Sequence, residues 1–181
     1  MGLLDLTKIK QIDTVTVDGI DYPIQSSFRY GLMFYRLMSE KKYISEFMFL
    51  YKFDKPSDSV KAFNALYDFY CKKTELPRDT GGESGGKILD YDIDSDLIYS
   101  AFMLCYGINL ITAEMHWYEF RSLLGGIKNC KLTDIIEYRS YDQYDKTKYE
   151  TQMQNNKNAW EIVTPLTEKE KKELDSFESL F

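Results

Sequence analysis

His116 is the only histidine of the chain, and it is the residue type most often asked to move a proton near neutral pH. It lies in the run His116-Trp117-Tyr118-Glu119-Phe120-Arg121, with Cys130 a short distance downstream. An imidazole base beside a thiol could in principle drive acyl transfer, which also needs an orienting group and an oxyanion site. The sequence shows neither. Zinc wants about four nitrogen or sulfur ligands, whereas this chain offers one imidazole and three scattered thiols, Cys71, Cys105 and Cys130, with no knuckle spacing among them. His116 therefore reads as a histidine within a capped helix, packed beside Trp117 and Phe120, with a charge that can respond to pH near neutrality.

Two other patterns approach known chemistry and stop short of it. Gly81, Gly86 and Lys87 have the spacing of a phosphate-binding loop, but Ile88 stands where a magnesium-holding hydroxyl belongs, and LPRDT before the loop is no hydrophobic strand. Asp90, Asp92, Asp94 and Asp96 alternate like the start of a calcium loop. Ser95 replaces its turn glycine and Ala101 its bidentate glutamate, so helix capping is the simpler use of these carboxylates. Arg121 and Arg139 sit in aromatic-rich segments, suited to cation–π contacts or to ion pairs with those aspartates. No catalytic, cofactor-binding or metal-binding residue is expected, and no cofactor.

The elements that must position these residues are mostly helical. Thr14 to Ile24 alternates apolar and polar residues around Asp18-Gly19, which predicts a short hairpin; Pro23 keeps its second strand short or at an edge. Ser26 or Ser27 caps a helix from Phe28, and Tyr43 to Phe53 supports a buried helix or a strand, of which the helix is favoured because its neighbours on both sides are helical. Ser57 or Asp58 caps a helix over Ser59 to Lys72. Leu76 to Lys87, with four glycines, is expected to be a flexible surface loop. Asp94 to Tyr106 carries a stripe of Leu97, Ala101, Leu104 and Cys105, widened by Tyr99, Phe102 and Tyr106, and Gly107 ends it. Thr112 is expected to cap a second helix through Leu124, stopped by Gly125-Gly126, so that the two helices form a hairpin over a five-residue joint. Thr133 caps a helix through Tyr141, and a polar helix covers Lys146 to Trp160. Trp160, Ile162 and Val163 return to the body. Thr167 and Glu170 form a capping box that opens a terminal helix bearing Leu174, Phe177 and Phe181. The expected fold is mainly α: a compact helical domain, residues 1–181, with a short N-terminal β-hairpin. The loop at 76–87 divides its N-terminal part from the central hairpin.

Composition narrows the function classes. Twenty-three basic against 29 acidic residues give a net charge of −6, with the bases interleaved among acids, so nucleic-acid binding is disfavoured. No apolar run approaches the roughly 20 residues that span a bilayer, and the first ten residues are too short and too charged for a signal peptide. Leu6 stands where N-myristoylation expects a hydroxyl. Three widely spaced cysteines fit a reduced compartment and use as small hydrophobes. Fifteen tyrosines and eleven phenylalanines provide amphipathic contact area suited to core edges and interfaces.

These residues also carry a resemblance. Tyr22-Pro23-Ile24 and Phe28-Arg29 stand at the opening of the pattern. Asp96, Tyr99, Phe102, Tyr106-Gly107-Ile108, Leu110, His116-Trp117, Phe120 and Leu123 form its centre, and Glu137-Tyr138-Arg139 its later helix. The pattern, which covers most of the chain, resembles a bacteriophage and prophage protein family of siphophages, encoded near the tape-measure gene and similar to tail assembly chaperones. The resemblance implies a protein of the bacterial host cytoplasm that binds the phage tape-measure protein, and other tail assembly proteins with it, before the tail tube polymerises. It implies no catalytic residue and leaves homo-oligomerisation open, while charge and hydropathy speak against a nucleic-acid partner and a membrane. Tyr99, Phe102, Tyr106, His116, Trp117, Phe120, Arg121 and Arg139 are the signature that either binds the partner or forms the core. The competing expectation is a structural tail or connector component retained in the virion; an enzyme built on His116 and the acidic cluster is the third.

Overall fold

The computed structural model describes residues 3–72, 88–140 and 148–162. The expected loop at 76–87 and terminal helix beyond Thr167 lie outside the described residues. The architecture is mainly α with one two-stranded antiparallel hairpin near the N-terminus. By contact the chain divides into two units, one of Met1–Glu83 with Leu89–Asp134, the other of Ser84–Ile88 with Ile135–Phe181.

In the first unit, β1 (Thr14–Val17) pairs with β2 (Ile20–Pro23), Val17 opposite Ile20. Asp18 and Gly19 both take positive φ, 51° and 80°, the backbone handedness that a two-residue turn between twisted strands demands. Val15 and Val17 are buried. The hairpin leans on α2 (Ser59–Tyr70), as so small a sheet must. Asp58 caps α2, its carboxylate accepting the Val60 and Lys61 amides at 3.0 and 3.1 Å.

The chain between the hairpin and α1 (Phe28–Ser39) is tied on both sides. Gln25 donates to the Leu50 carbonyl at 2.8 Å and Lys52 to that of Pro23 at 3.0 Å, while Trp117 donates to Ser26 at 2.8 Å and Phe28 to Met115 at 3.1 Å. Ser27 holds the cap position of α1 in extended conformation without a side-chain cap bond. The 43–53 segment, expected to be a helix, is a 3-10 helix only over Ile44–Leu50, because its continuation pairs with the strand-like chain at 23–25.

Helix α3 (Ser95–Tyr106) ends as expected at Gly107, in the left-handed conformation at φ 66°, with its own and the next amide bonded back to Met103 and Phe102. Its buried face differs from the expected stripe. Ile98, Ala101 and Phe102 point inward, whereas Leu104 is 71% exposed and Cys105 is also exposed. The helix is apolar nearly all round, so periodicity does not select its inner face; stacking of Phe102 on Phe120 does, at 5.1 Å.

Helix α4 (Trp117–Gly126) starts four residues later than a cap at Thr112 predicts, with His116 in the cap position. Thr112 is held in a turn around Asn109, whose side chain accepts the Ile111 amide at 3.0 Å and whose carbonyl accepts the Thr112 and Ala113 amides. Met115 is then extended against Phe28. The two helices are therefore separated by a folded loop rather than a tight five-residue joint, and the main packing partner of α4 is α1. There Gly31 lies directly under the Trp117 ring.

Helix α5 (Lys131–Ser140) begins before Thr133, whose hydroxyl reaches back to the Cys130 amide and carbonyl at 3.1 and 2.7 Å. Helix α6 is the expected polar one, Lys148–Trp160, with Met153 buried. In the second unit Arg139, 6% exposed, donates to the Trp160 and Ile88 carbonyls at 2.6 and 3.2 Å.

Candidate functional site

Helix α4 has two working faces. The inner one carries Trp117 and Phe120, both fully buried and stacked on one another at 5.7 Å. Phe120 lies between Phe28 and Phe102, each at 5.1 Å. The Trp117 ring meets Tyr35 at 5.7 Å and Tyr91 at 6.0 Å. Burying such side chains stabilises a fold by about 1.5–3 kcal/mol each, so Phe102, Trp117 and Phe120 work as core.

The polar atoms of the same stretch finish another helix. The last carbonyls of a helix have no partner within it, and the end of α2, together with Lys72 just past it, hands its carbonyls to α4. Trp117 Nε1 donates to the Tyr70 carbonyl at 2.9 Å, the Tyr118 hydroxyl to that of Phe69 at 3.1 Å, and Arg121 to that of Lys72 at 2.6 Å. The Arg121 guanidinium also lies 5.8 Å from the centre of the Trp117 ring, and a cation here suits the negative end of α2. Burial pushes the Tyr118 hydroxyl up to about 12, so it stays a donor.

His116 is the cap of α4. Its Nδ1 accepts the Tyr118 amide at 3.1 Å and its Nε2 faces the Ile12 carbonyl at 2.9 Å. A carbonyl only accepts, so the proton sits on Nε2 and the ring is neutral. Glu119 returns the cap by accepting the His116 amide at 3.0 Å. Burial pushes the His116 pKa below its usual value of 6.5. Both ring nitrogens are thus engaged by backbone groups, an arrangement that holds the N-terminal arm to α4.

The alternating aspartates divide their labour. Asp90 accepts the Asp92 and Ile93 amides at 2.8 and 3.0 Å, the buried Asp94 accepts the Asp90 amide at 2.9 Å, and Asp92 pairs with Arg36 at 3.0 and 3.1 Å. That last ion pair involves Arg36, not Arg121 or Arg139. Among the described residues no group of three or more His, Cys, Asp or Glu side chains is placed to hold a metal ion.

The outer face of α4 borders open space. Glu119, Ser122 and Leu123 line one side of a cleft of about 590 Å³, completed by Leu4, Tyr106, Ile108, Ala113, Glu114 and Met115. Its edges are fixed. The Tyr106 hydroxyl donates to the Leu123 carbonyl at 2.8 Å, and it can approach because residue 126 is glycine, where a Cβ would lie 2.9 Å from that oxygen. Arg29 donates to the Leu110, Ile111 and Ala113 carbonyls at 3.0, 2.7 and 3.4 Å, clamping the loop that forms one wall. A second cavity of about 240 Å³ lies on the other side of that loop, lined in part by Tyr99, Leu110, Ile111 and Phe120.

The structure brings Tyr99, Phe102, Tyr106, His116, Trp117, Phe120 and Arg121 into the first unit, and Arg139 holds the second. Of these, Tyr106 lines the larger cleft, and Tyr99 and Phe120 the smaller. Leu4, Gly31, Glu114 and Met115 carry no site signal in the sequence, and Arg29 enters there only as part of the pattern. The Phe28-Arg29 pair is a visible signal, but its targets are carbonyls, which carry no side-chain signature. No helix among the described residues is long and apolar enough to cross a membrane.

Comparison with known proteins adds one match. The model of a family described as Bacteriophage Gp15 protein matches residues 9–162, from ahead of β1 to past the end of α6. No curated protein and no solved structure matches the chain.

Proposed function

The chain belongs to the bacteriophage Gp15 protein family, and from that premise we propose that it is a tail assembly chaperone-like protein that binds the tape-measure protein during tail morphogenesis. The observation that carries this reading is the preformed cleft beside α4, walled by Leu4, Tyr106, Ile108, Met115 and Leu123. A tape-measure protein is long and helical, and its apolar stripes aggregate unless they are covered. A groove backed by a rigid aromatic core receives such stripes in the helix-in-groove mode, with little ordering cost on binding. The net charge of −6 keeps a tyrosine-rich surface from self-association. In this reading the protein acts in the host cytoplasm, without catalysis, and is displaced when tube subunits compete for the same stripes.

Co-expression of the chain with the tape-measure protein of the same phage tests it. The expected result is a soluble complex during assembly and finished particles that lack the chain. Stoichiometric retention in purified virions replaces the chaperone with a structural tail or connector component. A tape-measure protein that stays insoluble or fails to co-purify rejects the reading outright.

A further inference from the structure

We propose that the cleft on the outer face of α4 takes a single partner helix of defined chemistry: an amphipathic helix whose apolar stripe is flanked by lysine or arginine. This rests on the chaperone reading and goes beyond it by assigning the surface and the charge of the partner. The assignment comes from the lining. Leu4, Tyr106, Ile108, Met115 and Leu123 make the walls apolar, while the only charged lining residues among those described are Glu114 and Glu119, both carboxylates. Among the described residues no basic side chain lines the cleft. An apolar floor with a wholly negative rim repels an acidic helix and leaves an uncharged one without a partner for the rim. A basic helix satisfies both parts at once.

The two carboxylates are not equivalent. Glu119 is held in place because one of its oxygens accepts the His116 amide at 3.0 Å, so its charge is delivered at a fixed point on the first turn of α4. Glu114 is exposed on the loop, and the Arg29 clamp on the Ala113 carbonyl fixes the backbone beside it. A cleft of about 590 Å³ exceeds one side chain and falls within the range of built binding sites. It suits the successive anchors of a helix at i, i+3 or i+4, and i+7. Met103, one turn before Tyr106 on α3, is also exposed at 42% and extends the apolar surface beyond the cleft.

The test uses the full chain with two synthetic helices as probes, one carrying a leucine stripe flanked by lysines and the other the same stripe flanked by glutamates. Fluorescence anisotropy is expected to show the lysine-flanked helix binding about tenfold more tightly at low salt, with the difference shrinking at high ionic strength. Glu114→Lys, an exposed change that leaves the core untouched, is expected to abolish or reverse the preference. Leu123→Glu is expected to weaken both probes while circular dichroism confirms its fold. Equal binding of the two probes, or a preference unchanged by Glu114→Lys, overturns the proposal. So does self-association of the chain that Leu123→Glu suppresses, because the occupant is then a second copy. Co-purification with the tape-measure protein is read in parallel. If the tape-measure protein binds the wild type and both variants alike, the chaperone reading stands and this site falls. If the lysine-flanked probe binds as stated but the tape-measure protein does not, the site stands and its assignment to that partner falls.

Discussion

Replacing Gly31 by alanine puts the packing of the first unit under its sharpest test. A Cβ at this position would lie 2.2, 2.3 and 2.7 Å from Cε3, Cδ2 and Cζ3 of Trp117. Ordinary contact begins at 3.4 Å, so the ring and α1 must separate by at least about 1.2 Å. The indole has nowhere cheap to go. It is fully buried, packed against Tyr35 and Phe120 at 5.7 Å, and tied through Nε1 to the Tyr70 carbonyl at 2.9 Å. Overpacking of this kind costs about 1–3 kcal/mol, and stretching the indole bond adds about 1–3 kcal/mol if it leaves the buried carbonyl unmatched. Against this, alanine in place of glycine inside a helix gains about 1 kcal/mol. The net expectation is a loss of about 1–5 kcal/mol, with a fall in Tm of roughly 2–20 °C for a chain of this size. Urea unfolding followed by far-ultraviolet circular dichroism measures it. The same substitution in a Trp117→Leu background should cost less by about 1 kcal/mol or more, since the two sites are coupled through contact. A Gly31→Ala protein as stable as the wild type, or more so, would show that helix propensity governs the position and that α1 does not rest on Trp117.

Two further outcomes follow from individual side chains. The His116 pKa is depressed in the folded state, so the unfolded chain takes up a proton first as the pH falls below about 6.5; stability should decline as pH drops through that region and level off below the folded-state pKa. His116→Asn keeps a cap acceptor but does not titrate, so its stability measured by urea titration at pH 7.5 and 5.5 should change less than the wild type's, and equal changes would refute the linkage. Among the thiols, exposed Cys105 should react with an aromatic disulfide reagent well before Cys130, which is buried. Cys71, half-buried and with its pKa raised by burial, should react more slowly than Cys105; equal rates for Cys105 and Cys130 would contradict the placement of α3 and of the turn before α5.

Several local features were legible because their causes are local. Asp18-Gly19 specifies a turn by backbone handedness, Asp58 caps α2 with its own carboxylate, and Gly107 stops α3 by adopting positive φ. The start of α4 was not, because what displaces Thr112 is a backbone pairing between residues 26–28 and 115–117, far apart in sequence. The inward face of α3 escaped for a related reason: Leu97, Leu104 and Cys105 fit helical spacing as well as Ile98 and Phe102 do, and only Phe120 discriminates between them.

For the candidate site the division is the same. The sequence by itself determined that His116, Trp117 and Phe120 matter together, that the fold is mainly helical, and that the chain carries a phage-family pattern. Tertiary structure decided what each residue does. Trp117 and Phe120 went to the core because α1 offers a glycine for the indole to cover and α2 offers carbonyls for it to satisfy. The open surface then fell to the opposite face of α4, lined by Leu123, Tyr106 and Leu4. Periodicity reports that a helix has an apolar face, but which apolar residues are left uncovered depends on long-range packing, and only the assembled fold contains it.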